Sequence, residues 1–379
     1  MTLWSKLKFK RRRALPLGHL HLLRACFPYE LGLDLTHRPL DKLYIEMLVR
    51  REWRKISRSE RRDWIDAIKC LTKLPHSPVL TPIVNPDDIA PVNITSSYYD
   101  DIVYLHMDLN RKESRVHGTG LFLPWHRWYI HNFESALKEK CGFNGTLPYW
   151  DWTRDAPDFL HATIFDEEYE LGGCGEPSRD FELVDGAFSG PSLFRPSYPF
   201  PHTLRRNFTL FPYTASVILG VPIDPHLPIN NTFSAAEVRK LTTGFQGDYK
   251  GFQTYIEGIQ GAHASVHLIV NGDLLGACPR TAPPGCMSGP TFTPNDPLFW
   301  LHHAMIDKVW HDWQHNSIAN TRAFEGGSVQ RLDNITMWPT GSAPWMDLQT
   351  VMPADGLFSE NTVVDVIDTE DGLLCYTYE

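Results

Sequence analysis

The chain has 379 residues, is 42% apolar and 12% aromatic, and carries a net charge of -9. That content builds a sizeable core, and the negative balance argues against a nucleic-acid-binding role. No apolar run reaches 18 residues, so no membrane span is expected.

Residues 1–45 are atypical. The first thirteen hold six basic and no acidic residues, and Ala14–Ala25 is an apolar stretch broken by Pro16, Gly18, His19, His21 and Arg24. A secretory leader would be cleaner, so this segment reads as a tail, a signal-like stretch or a mis-assigned start. The body is residues 46–379. Arg50–Leu74 reads as helix, break, helix, with a capping box at Ser57 and Glu60 and an apolar stripe of Trp64, Ile65, Ile68 and Leu71. Pro75–Asn93 is a proline-rich connection. Ser97–Asn110 predicts a helix carrying His106. Pro124 suits the first turn of a helix running to about Lys140, with Gly142 as its stop. Residues 155–250, rich in Pro, Gly, Ser and Asp, predict long loops with short elements. Gln253–Val270 predicts one helix. After a loop, Asp296 caps a helix with Pro297 at its first position, extending to about His315. The terminal LCYTY predicts a short strand. The expected fold is mainly α: a four-helix bundle with inward-pointing histidines, long loops and few short strands.

Seven cysteines leave one unpaired or without its partner. Cys278 and Cys286 end a short turn-rich loop and are expected to pair. Five Asn-x-Ser/Thr sequons, at Asn93, Asn144, Asn207, Asn230 and Asn334, lean towards a secreted glycoprotein.

The histidines carry the chemistry. His263 and His267 are four apart, so on a helix both imidazoles share a face. His117 and His126 flank a GTG turn, and His106 precedes them. His303 lies on the Asp296-capped helix. A lone helical histidine is usually a packing group. Two groups of three on matching aromatic segments, without cysteine, suit a pair of copper ions. A zinc hydrolase fits poorly, because no acid/base pattern for metal-bound water accompanies them. His302 should point about 100° from His303, so only one easily faces a metal. His302, His131, His311 and His315 therefore read as packing or surface groups. Asp307, one turn after His303, could anchor that imidazole, or with Arg127 tie two ligand helices together.

The stretches HGTGLFLPWHRWYIHNFE (117–134), LPYWDW (147–152), HASVH (263–267) and NDPLFWLHHAMIDKVW (295–310) strongly resemble the tyrosinase, catechol oxidase and haemocyanin family of type 3 copper proteins. The resemblance covers roughly residues 46–379. It looks closest to the short secreted fungal branch without a C-terminal lid, since only 76 residues follow His303. It implies that His106, His117 and His126 bind one copper (CuA) and His263, His267 and His303 the other (CuB). The second histidine of the HH pair is the family ligand. It also implies O2 as co-substrate and a small phenolic substrate docking at CuB near His267. Two electrons leave a catechol, giving an o-quinone.

Departures from the family pattern sharpen the expectation. Arg115 stands where many members have a thioether-forming cysteine. Ala264 follows the first CuB histidine, where many monophenol-hydroxylating members have an asparagine that, with an upstream glutamate, holds a water. Glu257 is the candidate for that glutamate. Leu268, after the second CuB histidine, would give the substrate an apolar wall. These features favour oxidation of o-diphenols and o-aminophenols over monophenol hydroxylation, and over haemocyanin-like O2 carriage, which needs a blocked site. Members of this branch usually have a cysteine near the RREW helix able to pair with Cys70. Glu46–Val49 occupies that stretch, so either Cys26 substitutes or the first 45 residues are mis-assigned. The latter is favoured, as it also accounts for the odd cysteine count.

Overall fold

The computed structural model describes residues 47–379, apart from 111–113, 191–193, 214, 219 and 332–334. The N-terminal segment and the sequon at Asn334 lie outside the described residues.

The first described element is a short strand, β1 (Leu48–Arg50), followed by helix α1 (Arg58–Leu71). Ser57 accepts the Glu60 N–H and the Glu60 carboxylate accepts the Ser57 N–H, so the expected capping box forms and the stripe headed by Trp64 turns inward. Helix α2 (Tyr98–Asp108) starts with a second such box, between Ser97 and Asp100, and every residue in it is buried. Helix α3 (Phe122–Cys141) begins two residues before Pro124, which it tolerates because its first-turn N–H groups have no intrahelical acceptor. Gly142 ends it in the left-handed conformation, at φ 68°.

The middle of the chain is loops and single 3-10 turns around a small hairpin, β2 (Val217–Ile218) and β3 (Val221–Pro222), and helix α4 (Ala235–Thr243). The single helix expected over Gln253–Val270 is two: α5 (Tyr249–Glu257) and α6 (Ala262–Val270). Gly258 leaves the helical conformation. A Cβ on Gly261 would lie 2.3 Å from the Tyr255 carbonyl oxygen, so only glycine lets the chain turn back this closely. A one-turn helix, α7 (Gly272–Leu275), follows. Asp296 accepts the Leu298 N–H at 2.9 Å and starts α8 (Leu298–Asn316). A second hairpin, β4 (Gly327–Val329) with β5 (Ser342–Trp345), and a one-turn helix, α9 (Val363–Val366), precede the terminal strand β6 (Tyr376–Tyr378). β6 pairs in parallel with β1, closing the two ends of the described chain.

Helices α2, α3, α6 and α8 form the histidine-bearing bundle. Phe133 of α3 stacks on Trp300 of α8 with centroids 3.7 Å apart, and nine tryptophans, including Trp125, Trp128 and Trp310, are fully buried. Aromatic surface on this scale supplies much of the hydrophobic stabilisation. Among the described residues, no helix is long and apolar enough to cross a membrane.

Cys278 and Cys286 are bonded, as their spacing predicts. Cys70 needs no partner from the start of the chain: it pairs with Cys141, which joins the ends of α1 and α3. Cys375 is also disulfide-bonded, and Cys174 is free. The expectation that Cys70 pairs with Cys26 or lacks its partner is corrected by this bond.

Candidate metal centre

Three elements bring the first histidine group together. His106 comes from α2, His126 from α3, and His117 from the loop between them, where Gly118 turns at φ 59°. Their ring centroids are 4.8–5.8 Å apart. Each Nδ1 meets an oxygen: His106 the Thr291 carbonyl at 2.7 Å, His126 the Phe122 carbonyl at 2.7 Å, and His117 the Asn110 carboxamide oxygen. Oxygens of this kind only accept, so each Nδ1 carries the proton and each Nε2 keeps its lone pair. Nε2 of His106 and of His126 is buried and has no hydrogen-bond partner.

The second group comes from two helices. His263 and His267 lie one turn apart on α6, with centroids 4.7 Å apart, and His303 of α8 lies 5.1 and 5.6 Å from them. His267 Nδ1 donates to the Leu274 carbonyl. Neither nitrogen of His263 or His303 has a partner, although both rings are buried. The two groups meet face to face: His126 stacks on His303 at 4.5 Å and 13°, and His117 lies 5.7 Å from His263. Desolvation, reinforced for several rings by neighbouring imidazoles, lowers the basicity of all six, to about 3 for His106 and about 4 for His267. They are neutral near pH 7, the form that binds a metal. Buried lone pairs without partners are costly alone, and two copper ions would satisfy them.

His302 departs from expectation. It is fully buried, its nitrogens have no partner, and it lies 5.6 Å from His263 and 4.8 Å from His267. Adjacent positions on α8 straddle the direction of α6, so both reach it, and the second group holds four imidazoles within ligand spacing. The HH pair was the available signal.

Asp307 does not reach His303. It accepts from Arg127 and from the hydroxyls of Tyr376 (2.6 Å) and Tyr378, with Arg50 at 3.5 Å. Burial alone would raise its carboxyl, but Arg127 and Arg50 outweigh that and hold it below the usual range. Arg127 also donates to the Val366 and Ile367 carbonyls and to Gln314, and its guanidinium lies 3.6 Å over the Trp310 ring. Asp307 and Arg127 thus lock α3, α8 and β6 together beneath the histidines.

Glu257, at the end of α5, accepts the Gly118 N–H, next to His117, and the Gln253 amide at 2.9 Å. Desolvation pushes its carboxyl up to about 8 despite those two bonds. Ala264 and Leu268 are half-exposed, one turn apart on α6, while the alternate face of that helix carries His263 and His267 inward. Asn110, Thr291 and Leu274 went unforeseen. Two of them act through carbonyls that any residue supplies, and only Asn110 offered a side-chain signal.

Residues 96–316 match the common central domain of tyrosinase. Tyrosinase ustQ of Aspergillus flavus is 30% identical over 343 residues, covering 87% of this chain and 79% of that protein. The N-acetyl-6-hydroxytryptophan oxidase ivoB of Emericella nidulans is 30% identical over 362 residues, covering 87% and 92%. A single-site mutant of a polyphenol oxidase from Thermothelomyces thermophila shares the fold at a TM-score of 0.56 and 23% identity, covering 88% of this chain and 89% of that one. Two facing imidazole groups on a helical bundle suit the copper pair with which this family uses O2, and the match spans more than half of the chain: it belongs to the tyrosinase family.

Proposed function

We propose that this chain is an O2-dependent oxidase that converts o-diphenols, and o-aminophenols by the same two-electron logic, to o-quinones or o-quinone imines, acting as a secreted protein with residues 46–379 as its catalytic domain. His106, His117 and His126 hold one copper, and His263, His267 and His303 the other. His303 is preferred over His302 because its ring also stacks on His126 of the opposite group. The observation that carries the reading is the pair of facing, desolvated imidazole groups with inward lone pairs.

When bound, the copper pair supplies the O2 site and the two-electron sink. The chain's own residues do the rest. Thr291, Asn110, Phe122 and Leu274 hold imidazole tautomers. Phe122 and Phe299 pack on the rings and keep water away, with Phe299 4.1 Å from His303. Ala264 and Leu268 offer an uncharged wall on which a catechol ring can lie beside His263 and His267. Two catechols and one O2 give two quinones and two waters, and Ala264 has no group to hold a water that would deprotonate a simple phenol.

One observation favours a second reading, monophenol hydroxylation: Glu257 is a carboxyl beside the His117 loop. One relative is, by name, an oxidase of N-acetyl-6-hydroxytryptophan, which carries a single phenolic hydroxyl. Oxygen uptake by copper-loaded protein on 4-tert-butylcatechol, 2-aminophenol, tyramine and tyrosol separates the readings. Rapid uptake on the first two, with little or lagging uptake on the last two, is expected. Prompt turnover of the monophenols makes the chain a hydroxylase, and no uptake on any of them sinks the oxidase reading. Ala264→Asn should then raise phenol turnover relative to catechol several-fold, and an unchanged ratio removes the water-based account.

A further inference from the structure

Among the described residues, one cluster of three metal-ligating side chains lies outside the centre. His311 and His315 are one turn apart on α8, with centroids 4.1 Å apart, and Glu370, between α9 and β6, faces both. Its Oε1 lies 3.6 Å from His311 Nε2 and 3.8 Å from His315 Nε2. The three donor atoms lie within 4.8 Å of one another.

The second nitrogens are already engaged. His315 Nδ1 bonds the His311 carbonyl at 2.8 Å. A carbonyl only accepts, so Nδ1 holds the proton and Nε2 presents its lone pair. His311 Nδ1 faces Asp312 at 3.3 Å, and Lys308 holds that carboxylate at 2.7 Å. A carboxylate behind the far nitrogen is the usual support of a metal-bound imidazole. His311 is 7% exposed, and its Nε2 is buried without a hydrogen-bond partner. Glu370 is steadied by Thr377, whose hydroxyl donates to Oε1 at 3.0 Å.

We propose that His311, His315 and Glu370 form a binding site for a single divalent transition ion, zinc or a similar borderline cation, separate from the dicopper centre. Tetrahedral zinc with bonds of about 2.0–2.1 Å sets its ligands roughly 3.3 Å apart, a few tenths of an ångström less than the two distances from Glu370 to the imidazoles, 3.6 and 3.8 Å. His315 is half-exposed, so the fourth position opens to solvent. The ion fastens the Glu370 turn to α8. Six residues later Tyr376 bonds Asp307, so the ion reinforces the lock under the centre from outside. In its absence a protonated His311 paired with Glu370 would hold the same segment more weakly.

Copper-loaded protein equilibrated with zinc and freed of excess should be assayed for both metals per chain, beside His315→Ala and Glu370→Gln. The expected result is one zinc on the wild type with copper content unchanged, and zinc binding at least about tenfold weaker in each variant. Zinc should also raise the wild-type Tm and leave that of His315→Ala unmoved. His315 is half-exposed at the end of α8, so its truncation leaves the core intact. Zinc gained only as copper is lost, no zinc at all, or equal zinc on wild type and variants would each overturn the site. The readout does not depend on oxidase activity, so a failed oxidase assay leaves it intact.

Discussion

The two histidine groups are built differently. In the first, all three imidazoles are fixed by hydrogen bonds from outside the metal position, to Thr291, Asn110 and Phe122. In the second, only His267 has such an anchor; His263, His302 and His303 are placed by helix geometry and ring packing. Three separate segments must converge for the first group, and each carries its own restraint. Two helices suffice for the second, and the i,i+4 spacing and the HH pair do the placing. The first half is therefore preorganised as a polar network and the second as packing, which leaves the second freer to adjust around an arriving ring.

The comparison breaks most directly at His263. His263→Ala should drop copper from two to one per chain and reduce catechol oxidation to background, measured by metal analysis and oxygen uptake. Two coppers with intact activity would mean that the second group is misassigned. Next in size is Arg127→Ala, which takes from buried Asp307 its nearest cation in the layer both groups rest on and leaves it only the more distant Arg50. Losing one member of a buried ion pair costs about 3–5 kcal/mol. Thermal unfolding should show a Tm lower by roughly 10 °C, at about 2–4 °C per kcal/mol. A shift under a few degrees would show that the lock is not structural.

How much of this was legible in the sequence depended on range. The Ser57 capping box and the Cys278–Cys286 bond are written within a few residues, and both formed as expected. The break at Gly258–Gly261 was hidden because the apolar stripe continues across it while the backbone turns. Cys70 with Cys141, and Asp307 with Tyr376, join positions about seventy residues apart, which no local pattern reveals. That His302 also reaches the second group was hidden because a single-helix argument ignores where the partner helix lies.

Asn110 tests the network half alone. Asn110→Ala frees the His117 ring, and loss of such a partner typically costs 10–100-fold in metal affinity. Copper should leave the first position 10–100-fold more readily in a chelator competition, with the second unaffected. Equal retention at both would erase the distinction drawn between the groups.

The smallest effect lies at the end of the helix that carries His106. Asp108, the last residue of α2, accepts the N–H groups of Ile83, Val84 and Asn85, and Asp355 is buried beside it. Desolvation first, and then the Asp108 charge, push the Asp355 carboxyl up to about 8. Between about pH 4 and 8 the fold holds a proton there that the unfolded chain has released. The native state then binds more protons, so this carboxyl makes stability fall as pH rises through that window. Asp355→Asn keeps the shape and removes the titration, and asparagine tolerates the φ of 47° at this position. The wild type should lose a few degrees of Tm more than Asp355→Asn between pH 5 and 8, at about 2–4 °C per kcal/mol. Parallel Tm profiles would show that Asp355 is ionised throughout. Asp108 and Asp355 would then stand as a like-charge pair at the end of the helix that carries His106, held there by the three N–H groups that Asp108 accepts.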